Sequence, residues 1–166
     1  MTEEATFAPE TDARAFRDAL GRYATGVTVV TVLGDDGPVG MTANSFTSVS
    51  LDPPLVLWLP ARSSSRFDRF AGAEHFVIHV LDAEQADLSA RFTRGGAGFE
   101  GLDYRSNPEG VPLLPQPLAR FDCRVHAIHD GGDHAIVVGR VLRAARRAGE
   151  PLVFAQGRFG RVLPDA

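Results

Sequence analysis

At 166 residues, with 44% hydrophobic and 23% charged residues, the chain has the size and composition of one globular domain and not of a disordered or fibrous protein. Its formal net charge of −4 argues against a general nucleic-acid binder, because neutralising phosphates requires a basic surface. All 17 basic residues are arginine, which excludes a Walker A loop, a Schiff-base lysine and a lysine-anchored pyridoxal. The lone cysteine, Cys123, excludes an intrachain disulfide and a cysteine-based zinc cluster.

No apolar run approaches the roughly 20 residues of a membrane span, and the acidic, polar start from Met1 to Asp12 is unlike a secretory signal. The expectation is a soluble, cytoplasmic protein. Residues 1–11 read as a flexible N-terminal segment ahead of a single domain over 12–166.

Ala15, Phe16, Ala19, Leu20 and Tyr23 form one apolar stripe, which predicts an amphipathic helix from Asp12 to Tyr23 with Thr11 or Asp12 as its cap. Gly26 to Leu33 is rich in β-branched residues. The turn Asp35-Asp36-Gly37 then leads into a second run, Pro38 to Phe46, and the two predict a hairpin. Leu55 to Leu59 is a short, fully apolar strand behind the Pro53-Pro54 break. Ser63, Ser64 or Ser65 can cap a short helix through Phe70, and His75 to Leu81 returns to strand character.

Asp82 and Gln85 resemble a capping box for a helix over Ala83 to Phe92. From Thr93 to Pro117 glycine and proline interrupt any periodicity, so a long irregular loop is expected. Leu118 to His129 and His134 to Leu142 flank Asp130-Gly131-Gly132-Asp133, a strong hairpin signal, and Pro151 to Val162 supplies a last strand or strand pair. Six or seven strands with two or three short helices predict a mainly antiparallel β-barrel with flanking helices.

The segment from Gly40 to Pro54 is the most unusual. Thr42, Asn44, Ser45, Thr47, Ser48, Ser50 and Asp52 crowd a place where a hairpin strand is expected to run out into a loop. Hydroxyls and exposed amides can hold a phosphate without lysine, and Asn44 offers both a donor and an acceptor to the edge of a pyrimidine-like ring. The alternative is that these groups satisfy a turn and a barrel rim. His126 and His129, three apart on a strand, face opposite sides. His75 and His79 face one way, but about 13 Å apart at strand rise, so neither pair is a metal site. Cys123 reads as a buried small hydrophobe. Arg140, Arg143, Arg146 and Arg147 could meet a nucleotide phosphate or form a solvated face.

That segment, together with Ala24-Thr25-Gly26-Val27-Thr28-Val29-Val30-Thr31 before it and the run from Gly132-Asp133-His134 to Val141 after it, resembles the flavin reductase-like family. The resemblance runs from about Phe16 to Val162. It implies an antiparallel FMN-binding split β-barrel, a homodimer, and an NAD(P)H:flavin oxidoreductase that supplies reduced flavin to a separate monooxygenase, with no nucleic-acid or membrane partner. By motif, Thr42, Ala43, Asn44 and Ser45 would contact the isoalloxazine and ribityl chain of FMN or FAD. Ser48, Val49 and Ser50 would hold the phosphate, with Ser65 as a further contact or, equally, a helix cap. His134 would lie beside the nicotinamide of NADH or NADPH, and Phe92 and Phe154 are possible neighbours of the rings, with core packing as the alternative for both. Direct transfer from nicotinamide C4 to flavin N5 needs no acid, base or nucleophile, so no catalytic side chain is expected. Two rivals share the barrel: a non-catalytic flavin carrier, and a pyridoxamine-phosphate-oxidase-like enzyme using another flavin substrate or a deazaflavin.

Overall fold

In the computed structural model, residues 4–93, 95 and 98–162 are described. Helix α1 (Ala13–Leu20) opens the fold, capped by the Asp12 carboxylate, which accepts from the Ala15 N–H at 2.8 Å. The helix ends at Leu20, three residues sooner than its apolar stripe predicts, with Gly21 as its C-cap. Strands β1 (Thr25–Gly26), β2 (Thr28–Gly34) and β3 (Gly37–Ala43) follow, then β4 (Thr47–Leu51) and β5 (Pro54–Trp58). After α2 (Phe67–Ala71) come β6 (His75–Val80) and α3 (Ala86–Thr93), the short strands β7 (Arg105–Ser106) and β8 (Pro112–Leu113), the long hairpin β9 (Ala119–Gly131) and β10 (His134–Arg146), and finally β11 (Val153–Ala155) and β12 (Arg158–Gly160).

Seven strands form one antiparallel sheet in the order β3-β2-β6-β9-β10-β5-β4, and β1, β11 and β12 form a small second sheet. The large sheet curls: Val39 and Met41 near one edge share a hydrophobic cluster with Val56 and Trp58 near the other, around Val30, Phe76, Ile78, Cys123 and Val137. The edges meet across an open seam, and the result is the split antiparallel barrel implied by the resemblance. On β2 the period-2 alternation sends Val30 and Val32 into this cluster, while Val27 and Val29 pack outward with Leu81, Phe92, Leu114 and Leu152 beneath α3. The strand is therefore buried on both faces, and its two threonines, Thr28 and Thr31, are accommodated by donating to the Ala43 and Pro112 carbonyls.

Several boundaries differ from expectation. Residues Thr47 to Leu51 are an edge strand paired with β5, not a loop, and a register shift between Ser48 and Ser50 leaves Val49 as the extra residue of a β-bulge. Serine and threonine are short enough to sit on an edge where only one side of the ladder is paired. Phe46, expected at the end of a strand, lies beyond β3 and stacks on Phe121 at 5.6 Å. Helix α2 begins at Phe67 behind Arg66, without a side-chain cap; Ser64 Oγ instead accepts from the Arg66 N–H at 3.2 Å. The capping motif before α3 is present, with Gln85 Oε1 accepting from the Asp82 N–H and Asp82 Oδ1 from the Glu84 N–H, both at 3.0 Å, but residues 83–85 form a turn before the helix proper.

The irregular stretch also contains the β7–β8 ladder and an Asn107 turn whose Oδ1 accepts from the Val111 N–H at 2.8 Å. The β9–β10 hairpin runs four residues past the expected end at Leu142, which its polar alternation concealed. Among the described residues no helix is long and apolar enough to cross a membrane.

Candidate functional site

The end of β3 reaches an apolar cleft of about 190 Å³ lined by Val27, Thr42, Ala43, Asn44, Ser89, Thr93, Phe154 and Phe159. Two hydroxyls of the motif are already engaged. Thr42 Oγ1 donates to the Ser89 carbonyl at 2.6 Å, tying β3 to α3. Ser45 Oγ accepts from the Leu59 N–H at 3.0 Å and donates to the Leu59 carbonyl at 3.3 Å, so it spans the barrel seam. Asn44, between them, lines the cleft, is exposed, and makes no side-chain hydrogen bond to the described protein. The geometry thus divides the motif: the Thr42 and Ser45 hydroxyls are engaged by the backbone, while Thr42, Ala43 and Asn44 line the slot.

The slot has an aromatic wall, Phe154 edge-to-face with Phe159 at 5.6 Å, carried on β11 and β12. Phe154 also borders a second cleft of about 490 Å³ with Arg17, Asp18, Gly21, Arg22, Gln156 and Gly157. Apolar walls with a narrow polar rim suit a flat conjugated ring. The Ser89 hydroxyl, in the lining, is buried without a hydrogen-bond partner among the described residues, and Thr25 Oγ1, on the strand paired with Phe154, is likewise without one there. Such buried, unpaired polar atoms call for a ligand or water partner, and they fit a heteroaromatic group with acceptors along one edge.

The other residues expected at the site are spread around this slot. Ser48, Val49 and Ser50 lie on the bulged edge strand β4, with Ser48 and Val49 exposed; the bulge frees backbone donors from the ladder. Ser65 is exposed just before α2. Phe92 is 2% exposed and packed against Gly40, where an added Cβ would collide with its ring, so the structure gives it the core role. His134 opens β10 directly after the two-residue turn Gly132-Asp133. Its Nδ1 is 2.7 Å from Asp133 Oδ1, and this hydrogen bond holds the Asp133 carboxyl below its usual range.

Four other ionisable groups, His79, Cys123, Arg143 and Arg147, have structural roles. His79 is fully buried; Nδ1 lies 3.1 Å from the Val29 carbonyl and Nε2 accepts from the Leu114 N–H at 3.1 Å, which fixes the neutral tautomer. Burial pushes its pKa down to about 3; the Val29 carbonyl opposes that shift and the Arg120 charge adds to it. Burial pushes the Cys123 thiol up to about 12, which leaves it inert. In the arginine cluster, Arg143 pairs with Glu109 and with Asp122 at 3.2 Å, and Arg147 with Asp82 at 2.9 Å, so these two anchor loops. Among the described residues no group of His, Cys, Asp and Glu forms a metal site.

Sequence reasoning missed Val27, Ser89, Thr93 and Phe159 in the cleft, and Arg66. The Arg66 guanidinium donates to the carbonyls of Gly40 at 2.7 Å and Phe92 at 3.0 Å, bracing the back of the slot, and burial lowers its pKa. A signal for Ser89 existed: it falls four residues after Gln85 and three before Phe92, a polar residue on the packed face of a predicted helix.

Comparison with known proteins identifies the family. The chain is 60% identical over 162 residues to the FMN reductase (NADH) SmoA of Agrobacterium fabrum, covering 97% of this chain and 93% of that protein. It is 40% identical over 156 residues to HsaB of Rhodococcus jostii, the reductase subunit of a flavin-dependent monooxygenase, covering 93% and 80%. Among solved structures it superposes on the Streptomyces globisporus NADH:FAD oxidoreductase SgcE6 in complex with NAD and FAD fragments. There the TM-score is 0.91 at 39% identity, over 98% of this chain and 99% of that one. The flavin reductase like domain model matches residues 20–163, and the chain belongs to that family.

Proposed function

We propose that this protein is an NADH-dependent flavin reductase that passes a hydride from the nicotinamide to FMN or FAD and hands the reduced flavin to a separate monooxygenase. The observation that carries this reading is the cleft at the end of β3, lined by Ala43 and Asn44, by the Phe154–Phe159 pair and by Ser89, whose buried hydroxyl has no partner among the described residues. The names of the relatives, an NADH-dependent FMN reductase and a monooxygenase reductase subunit, support the same donor and partner.

When bound, the flavin ring supplies the electron-accepting atom N5 for the hydride leaving nicotinamide C4. The chain's own task is geometric. Thr42 and Ser45, each fixed by backbone partners, hold β3 so that Asn44 reaches the ring edge. Hydroxyls and freed amides of the bulge at Ser48, Val49 and Ser50 hold the ribityl phosphate, with Ser65 beside them. Phe154 closes the slot against water, and His134 orients the nicotinamide nucleotide by hydrogen bonding. Preorganised contact of the two rings at about 3–3.5 Å is what accelerates the transfer.

The protein works as a homodimer. Helix α1 buries none of its residues, and Phe16, Leu20 and Tyr23 stand 43%, 60% and 79% exposed along one stripe, which a second copy would cover. Reliance on a nicotinamide nucleotide fits work in the cytoplasm. The test is to follow NADH and NADPH oxidation by the purified protein with FMN, FAD or riboflavin added. Flavin-dependent oxidation of NADH is expected; flavin binding without oxidation would make the protein a carrier instead.

A further inference from the structure

We infer that Arg62 is a positioning residue for His134, a role that rests on the proposed contact between His134 and the nicotinamide nucleotide. The turn that carries His134 is a hairpin tip with Gly132 as the first of two central residues at φ +73°, and a tip of this kind projects from the sheet without packing of its own. Here it is tied down from the segment after β5. Arg62 Nε donates to the Gly132 carbonyl at 3.1 Å, and Arg62 Nη2 to Asp130 Oδ1 at 2.7 Å. The Arg62 backbone N–H donates to the Asp133 carbonyl at 2.9 Å, and the Ala135 N–H to the Pro60 carbonyl at 3.1 Å.

The two peptide planes on either side of Asp133 are thus both gripped by one residue. The first is held by the guanidinium and the second by the main chain. Behind it the guanidinium lies 5.4 Å from the centre of the Phe67 ring, which seats it from the opposite side. Once Asp133 is fixed, its Oδ1, 2.7 Å from His134 Nδ1, sets the direction of the imidazole and so of Nε2.

The side chains of Arg62 and Asp130 are 44% and 80% exposed, so their ion pair adds little to folding stability. What the clamp supplies is aim. It also joins the His134 turn to the serine run Ser63–Ser65 through a single residue. A lysine cannot take its place, because the two donors must diverge from one planar group to reach a carbonyl and a carboxylate together.

The experiment compares Arg62→Gln, Arg62→Lys, His134→Ala and the double variant Arg62→Gln/His134→Ala, measuring kcat and KM for NADH and the Kd for FMN. Arg62→Gln is expected to raise the KM for NADH about tenfold, with kcat and FMN affinity nearly unchanged and Arg62→Lys giving no full rescue. In the His134→Ala background the Arg62→Gln change is expected to add nothing, because Arg62 acts through that ring. Additive losses in the double variant, or a weakened Kd for FMN in Arg62→Gln, would overturn the inference and make Arg62 a direct ligand contact. An unchanged KM in His134→Ala would overturn it by removing the histidine from the nucleotide site, whereas absence of NADH oxidation in the wild type would instead defeat the proposed function.

Discussion

His79 makes stability fall steeply between pH 7 and pH 5. The side chain is held neutral in the fold, accepting from the Leu114 N–H and facing the Val29 carbonyl, and burial depresses its pKa from 6.5 to about 3. The unfolded chain takes up a proton near pH 6.5 that the folded chain refuses until about pH 3. This stabilisation is therefore complete above the unfolded value and is lost progressively as the pH falls through that window. Linkage gives a loss of about 2 kcal/mol from pH 7 to pH 5 for this group alone. Urea unfolding at pH 7, 6 and 5 measures it directly. The non-titrating His79→Leu should be weaker at pH 7, because the buried Leu114 N–H loses its acceptor, yet it should show a pH dependence smaller by about 2 kcal/mol. Equal pH dependence in the two proteins would refute the reasoning. If the variant does not fold, a wild-type stability independent of pH across this range would refute it equally.

Three further outcomes follow from the packing. Gly40→Ala drives a Cβ into the Phe92 ring and forces α3 away from β3; a loss of about 1–3 kcal/mol is expected by thermal unfolding, with weaker flavin binding because the Thr42–Ser89 tie lies two residues on. Ser45→Ala leaves the Leu59 N–H at the seam without its side-chain acceptor and should cost about 1–3 kcal/mol in urea. Leu20→Asp, on the exposed stripe of α1, should convert the proposed homodimer to monomer in light scattering without changing the melting of the barrel core; a monomeric wild type would contradict that assembly.

The parts of this fold that are legible in the sequence are those where local and tertiary demands agree. The β2–β3 and β9–β10 hairpins carry both alternation and turn residues, and Asp12 caps α1 as its chemistry predicts. Edge strand β4 was hidden because its hydroxyl-rich run is equally suited to a loop, and only pairing with β5 decides between them. The motif from Thr42 to Ser45 lies at the cleft, but the sequence does not reveal that the Thr42 and Ser45 hydroxyls are spent on α3 and on the seam. Arg62 and Arg66 were invisible for a simpler reason. An arginine before or after a serine run looks like surface charge, and its carbonyl partners come from segments 26 to 70 residues away.

The central claim is that the slot at Ala43 and Asn44 receives a flavin whose phosphate is held without lysine. Titrating the protein with FMN and FAD in a calorimeter, in the oxidised and reduced forms, tests it most directly. Saturable binding of at least one flavin, weakened by Asn44→Ala, is the predicted result; no affinity for either flavin in either redox state would contradict the account.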